Sequence, residues 1–297
     1  MLFVQIILPV FLIILAGYIL EKRTDLPLGP LSDVSLYLFS PCLVFSALVA
    51  REISFDMAAD LFLFMILYTA ALLAMAYLTG RLLKMEGNAR GALCLSTAMM
   101  NVGNFGLPLA YFAFGDRGLE ASILIFVMFN LSLGTVAIMI AQGSKAPLGR
   151  ILLNTCKIPI FHAVLLAFCL KYLDWEIPEF LLRAITLLGQ AAIPLMLVLL
   201  GMQLARTRLQ GNTGFISVSV LLRLLLAPFV AWGITTLLGI KGLTRDVVIL
   251  QTSTPSAVLP LLYCLRFNTR PDLLAGAIFA TTMLSALSLT VILYLQQ

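Results

Sequence analysis

The sequence predicts an all-α integral membrane protein. Ten transmembrane helices form a 5+5 inverted repeat, with helices 4 and 9 as broken crossover helices. Three observations lead there. Hydrophobic residues make up 61% of the 297-residue chain and charged residues only 11%, with a mean hydropathy of +1.06. A soluble domain carries about a quarter charged residues. A spanning helix needs about 20 apolar residues, so a chain of this length with short loops holds about ten. Lastly, two hydrophobic segments, residues 99–109 and 252–260, carry amides, hydroxyls, glycines and prolines in what is otherwise membrane-spanning sequence.

Span 1 covers residues 3–20 and stops at Glu21-Lys22-Arg23. No basic residue precedes it and no convincing cleavage site follows, so it is expected to persist as a span rather than act as a signal peptide. Span 2, residues 31–49, contains Pro41, and span 3, residues 60–80, is followed by Arg81, Lys84 and Arg90. Span 4, residues 91–114, is the first broken one. Proline removes a backbone donor and clashes with the preceding turn, and glycine has poor helical preference. Gly103, Gly106 and Pro108 are therefore the breakers. Unpaired backbone at membrane depth is tolerated only where protein or a water-filled cavity supplies partners. Span 5, residues 120–141, leads into a short polar linker, residues 142–150. Span 6, residues 151–172, contains Pro159; span 7, residues 180–204, Pro194; span 8, residues 213–238, Arg223 and Pro228. Span 9, residues 246–265, is broken by Pro255 and Pro260, and span 10 covers residues 273–295.

The prolines also mark a repeat. Leu8-Pro9-Val10-Phe11 recurs as Ile158-Pro159-Ile160-Phe161 at an offset of 150, Pro41 as Pro194 at 153, and Leu107-Pro108-Leu109-Ala110-Tyr111 as Leu259-Pro260-Leu261-Leu262-Tyr263 at 152. Residues 1–141 and 151–297 are then two five-helix repeats, joined by a cytoplasmic linker, residues 142–150. Five is odd, so the halves lie in opposite orientation, an arrangement that favours a transporter.

Twelve Lys and Arg residues fall in loops after odd-numbered spans, six in loops after even-numbered ones, and Arg223 lies within a span. The positive-inside rule puts both termini outside a cell inner (plasma) membrane. The net charge of +5 thus serves topology, and no nucleic-acid partner is expected. The five cysteines lack metal-ligand spacing and read as small buried hydrophobes. No metal, cofactor or catalytic residue is expected. One histidine, His162, and no mid-membrane acid leave no constellation from which to build an enzyme. No GxxxxGK[ST] motif supports ATP-driven pumping.

With Asn101 through Pro108 in span 4, the Pro255–Pro260 break in span 9 and ten spans in two halves, the chain resembles the auxin efflux carrier family, which includes plant auxin exporters and bacterial malate- or malonate-type permeases. The resemblance covers essentially the whole chain. It implies a scaffold of spans 1, 2, 6 and 7, and a transport domain of spans 3–5 and 8–10 whose broken helices cross at their prolines. It also implies an elevator-like motion and a homodimer through the scaffold. Plant members often carry a long loop between spans 5 and 6; the short linker here resembles the bacterial members.

Asn101, Asn104, Ser253, Thr254, Ser256, Tyr263 and Arg223 are the candidate substrate-binding residues. Asn101 resembles the family's substrate-contacting amide. The amides and hydroxyls have an alternative reading as caps of the severed helices. Arg223, an intramembrane charge, either faces the cavity or snorkels outward. Gln251 and Asn130 are a possible ion site, or else join helices together. Tyr111 and Tyr263 line the cavity or simply pack; His162 is read as structural. All the acids lie in loops or at span ends, so the positive ends of half-helices favour an anion. The expected function is secondary transport of a small organic anion, a carboxylate of the malate, malonate or auxin kind, with Na⁺ or H⁺ as possible coupling ion. The alternatives are a sodium-coupled organic anion symporter of the bile-acid symporter type and, in another class, a membrane sensor without transport.

Overall fold

Backbone removed from water must satisfy its own hydrogen bonds, and among the described residues it does so almost wholly as helix. The computed structural model describes residues 2–50, 55–142, 157–207 and 212–296, together with Gly149. Most of the expected linker, residues 142–150, and the expected start of span 6, residues 151–156, lie outside them.

Twelve helices follow in order: α1 Phe3–Arg23, α2 Leu28–Ala50, α3 Phe55–Leu82, α4 Gly87–Ala98, α5 residues 102–114, α6 residues 116–142, α7 Pro159–Tyr172, α8 Glu179–Arg206, α9 Thr213–Leu237, α10 Gly242–Thr252, α11 Leu259–Phe267 and α12 Pro271–Leu295. Gly115, at φ 65° and ψ −156°, separates α5 from α6, a conformation that costs a Cβ-bearing residue dearly. Among the described residues, seven helices are long and apolar enough to cross a membrane: α1, α2, α3, α6, α8, α9 and α12. Ten were expected. The segments expected as spans 4 and 9 each arrive as two short helices, with α4 only 12 residues long and α10 and α11 only 11 and 9, and the segment expected as span 6 is described only over the 14 residues of α7.

Prolines shape the helices locally. Wide π turns cover Phe3–Ile7, Ser35–Phe39, Val102–Gly106 and Leu221–Leu226. Each ends two residues before a proline: Pro9, Pro41, Pro108 or Pro228. A proline ring strikes the carbonyl of the preceding turn and leaves it without a donor. Widening that turn moves the carbonyl aside and lets another N–H reach it, so a proline in the membrane need not end its helix. The chain therefore passes Pro41 and Pro228 and stays helical.

The most extensive pairings fall into two sets. α1 packs on α8, and α2 on α7 and α8. Separately, α3 packs on α4, α9 on α3 and α10, α10 on the α5–α6 segment, α11 on α6, and α12 on α4 and α9. In membranes, close helix packing favours small residues that let backbones approach. The α1–α8 contact depends on them: a Cβ on Gly17 would lie 2.2 Å from the Val198 carbonyl oxygen, and one on Gly201 only 1.9 Å from that of Ile14.

Neither backbone can retreat without unwinding its helix, so Gly201→Ala should destabilise the protein by about 1–3 kcal/mol. Gly233→Ala on α9, where a Cβ meets nothing within 4 Å, should be neutral or slightly stabilising. Thermal unfolding in detergent checks the pair; equal melting temperatures would mean that α1 and α8 do not touch at Gly201.

Candidate functional site

The site begins where four short helices end. α4 stops at Ala98 and α5 starts at Val102; α10 stops at Thr252 and α11 starts at Leu259. The two irregular stretches run antiparallel and pair. Asn101 N donates to the Pro255 carbonyl at 2.8 Å, Ala257 N donates to the Met99 carbonyl at 2.8 Å, and Met100 lies opposite Ser256. Two of the N–H groups and two of the carbonyls freed at the breaks are thus paired with each other.

The two breaks are not alike. The first is three residues long, 99–101, and passes into the π turn Val102–Gly106; the second is six residues long, 253–258. Asn101 and Ser253 both lie seven residues before their prolines, Pro108 and Pro260, yet Asn101 belongs to the paired backbone while Ser253 caps the end of α10.

Arg223 enters from α9. Its side chain is fully buried, so it does not snorkel. Nε donates to the Thr254 carbonyl at 2.8 Å, Nη1 to that of Thr97 at 2.9 Å, and Nη2 to that of Thr252. Its contacts are therefore backbone carbonyls at the ends of α4 and α10. Tyr68 on α3 donates to the same Thr252 carbonyl at 2.8 Å. Ser256 ties the second break to α4 and α12: its Oγ donates to the Ser96 carbonyl at 2.6 Å, and its N–H to Thr281 Oγ1 at 3.2 Å.

The hydroxyls of Ser253 and Thr254 are also engaged, whereas that of Thr97 is buried without a partner. Ser253 Oγ donates to the Ile249 carbonyl at 2.5 Å and Thr254 Oγ1 to that of Gln251 at 2.7 Å, both back into the last turn of α10. Asn101 differs. It occupies the N-cap position of α5, where an Asn side chain ordinarily accepts a first-turn N–H, but it makes no such bond. The residue is 6% exposed, and its Nδ2 has no acceptor in the protein. Beside it, the N–H groups of residues 102–105 open a helix and lack intrahelical acceptors. Asn104, half-buried, sits in the same π turn.

Gln251 bridges helices, Nε2 donating to the Val102 carbonyl at 3.3 Å and the Ser122 carbonyl at 3.1 Å, while its Oε1 and Ser122 Oγ are buried without a donor. Gly106 makes room for it: a Cβ there would lie 2.9 Å from Gln251 Cγ. Asn130 donates within its own helix to the Phe126 carbonyl at 2.7 Å, apart from Gln251. Tyr263 is half-buried against the apolar core, Tyr111 is 40% exposed, and His162 is exposed with Nδ1 near the Ile158 carbonyl. Sequence reasoning missed Tyr68, Ser96, Ser122 and Thr281. All are polar residues within long apolar helices that carry no spacing signal, and only folding brings them to the breaks.

Residues 2–293 match the family described as membrane transport protein. The chain is 27% identical to an uncharacterized transporter of Methanocaldococcus jannaschii, over 95% of each protein. It is also 27% identical to a putative malonate transporter of Rhizobium meliloti, over 98% of this chain and 94% of the relative. A probable auxin efflux carrier component of rice, Oryza sativa, matches 40% of this chain and 22% of the carrier, at 27% identity.

The packing of Gln251 against Gly106 gives a direct test. Gly106→Ala should cost about 1–3 kcal/mol of stability by overpacking. Combining it with Gln251→Ala, which empties the space, should cost clearly less than the two single changes together. Strict additivity in a thermal double-mutant cycle would show that the two residues do not meet.

Proposed function

This chain belongs to the membrane transport protein family, that of the auxin efflux carriers. It is a membrane transporter, and we propose that it moves a small organic anion by secondary transport with alternating access. The carrying observation is Asn101: a buried amide at a helix N-cap, donor unpartnered, beside first-turn N–H groups. A carboxylate placed there accepts from the amide and from backbone N–H groups together, and the partial positive charge of the helix N-terminus favours it. Ser253, Thr254 and Ser256 hold the breaks in shape, since their O–H donors go to carbonyls. The name of the Rhizobium meliloti relative supports a malonate-like substrate; an auxin-like one rests on the shorter match to the rice carrier.

In this reading α4–α5 and α10–α11 are broken spans 4 and 9 of a ten-span 5+5 inverted repeat. α1, α2, α7 and α8 form a scaffold that also makes a homodimer, and the remaining helices form a transport domain that moves against it as an elevator. The two sets of helix pairings support that division. Phe11 on α1 meets Phe105 edge-on at a centroid distance of 5.9 Å, an apolar contact that can slide without breaking a hydrogen bond. The chain lies in the inner membrane with both termini outside. A sodium-coupled variant of the mechanism draws on Gln251 Oε1 and Ser122 Oγ, buried oxygens without a donor, which suit a hard cation. Asn130, whose Nδ2 donates to the Phe126 carbonyl, keeps its Oδ1 as a further oxygen for such an ion.

Binding of malonate by calorimetry tests the site. Asn101→Ala removes one donor to a charged group, about 1.5–3 kcal/mol, and should weaken affinity roughly 10- to 150-fold. Asn101→Asp should weaken it further by setting carboxylate against carboxylate. Ser253→Ala should change it little, because its hydroxyl proton faces Ile249. Wild-type affinity in both Asn101 variants would remove the amide from the site. Repeating the titration in Na⁺-free buffer decides the coupling ion: unchanged affinity rejects sodium.

A further inference from the structure

A helix end carries roughly half an elementary charge, positive at the N-terminus and negative at the C-terminus. The crossing assembles two of each: the C-terminal ends of α4 and α10 and the N-terminal ends of α5 and α11. Left alone, the four ends cancel and the crossing favours neither sign. Arg223 removes the balance. It is the only charged side chain among the described residues that is buried. Of its acceptors, the carbonyls of Thr97 and Thr252 lie in the last turns of α4 and α10, and that of Thr254 lies just beyond the end of α10.

We infer that Arg223 sets the charge selectivity of the crossing without touching the substrate: by masking the two C-terminal ends, it leaves the N-terminal ends of α5 and α11 as the charge the site presents. That remainder is about one positive charge, the complement of a single carboxylate. Arg223 is therefore a positioning and specificity-determining residue, and the inference deepens the reading of the crossing as an anion site. The residue type fits the task. A guanidinium stays protonated even when buried, and its planar fork reaches acceptors on two helices at once. A lysine supplies the same charge from a single nitrogen. If Arg223 were only a mechanical pin, its charge would not reach Asn101, and its removal would lower stability while leaving the midpoint of an acid at that position unchanged.

A tethered carboxylate reads that field without any substrate. The introduced acid in Asn101→Asp would be titrated by its infrared carboxyl band in purified, folded protein, alone and combined with Arg223→Gln or Arg223→Lys. The midpoint should rise by roughly one to two pH units when Arg223→Gln removes the charge, and Arg223→Lys should return it to within about half a unit. Equal midpoints with and without Arg223 overturn the inference. Should Arg223→Gln not fold, the lysine variant decides alone: amide hydrogen exchange at residues 96–101 should quicken as the fork is lost while the midpoint holds. A midpoint that climbs along with exchange overturns the inference. Malonate binding by the wild type is measured separately, so failure of the proposed substrate and failure of this role for Arg223 give different results.

Discussion

Two interrupted helices inside a membrane leave N–H and C=O groups that neither lipid nor their own helices can satisfy, and each costs several kcal/mol if left so. Here each break completes the other. The backbone bonds between Asn101 and Pro255 and between Ala257 and Met99 form one antiparallel step, and the carbonyls left at the ends of α4 and α10 go to Arg223 and Tyr68. The dependence is mutual. Neither break is satisfied without the other, so α4–α5 and α10–α11, far apart in sequence, are joined as one body.

Around that joint the remaining helices divide by the kind of contact they make. α1 and α8 touch backbone to backbone through Gly17 and Gly201, a dispersion contact with no tolerance for an added methyl. The helices of the crossing are held by hydrogen bonds between buried polar groups, among them Ser96 to Ser219 at 3.1 Å and Ser256 to Ser96 at 2.6 Å. Where the first set meets the crossing, α8 packs on the π turn Val102–Gly106 and α2 on the α5–α6 segment, and the ring pair Phe11–Phe105 adds an edge-on aromatic contact.

The electrostatic character of the crossing follows from which groups are already engaged. The hydroxyl protons of Ser253, Thr254 and Ser256 face carbonyls and the C-terminal helix ends face a guanidinium. The buried side-chain donors at the crossing without a protein partner are the Asn101 amide and the hydroxyls of Thr97 and Ser122, and beside Asn101 the first N–H groups of α5 have no intrahelical acceptor. Under the proposed reading, these retained donors receive a hydrogen-bond acceptor that carries negative charge. Gln251 Oε1 is a buried acceptor without a donor, on a side chain whose Nε2 donates to the Val102 and Ser122 carbonyls.

Much of this was legible in the chain itself. Apolar length fixes helices in a bilayer because no other open structure satisfies the backbone there, so the membrane class and most helix positions could be read directly; breaks were expected at Gly103, Gly106, Pro108, Pro255 and Pro260, whereas the chain is helical from Val102 through Pro108 and is irregular at residues 99–101 and 253–258. The resemblance to the auxin efflux carriers was legible for the same reason, since its signature is the breaks. Other features depended on tertiary contact. Prolines 9, 41 and 228 look like breakers in sequence but are accommodated by π turns, because the widened turn supplies what the ring removes. Arg223 could be read only as facing a cavity or snorkelling, because its partners are carbonyls, which every residue has and no sequence pattern marks. The offset that made Asn101 and Ser253 equivalents did not make their surroundings equivalent. Proline spacing is visible in the sequence, while hydrogen-bond partners depend on which segment lies across the gap, and that is decided only when residues far apart in the chain meet.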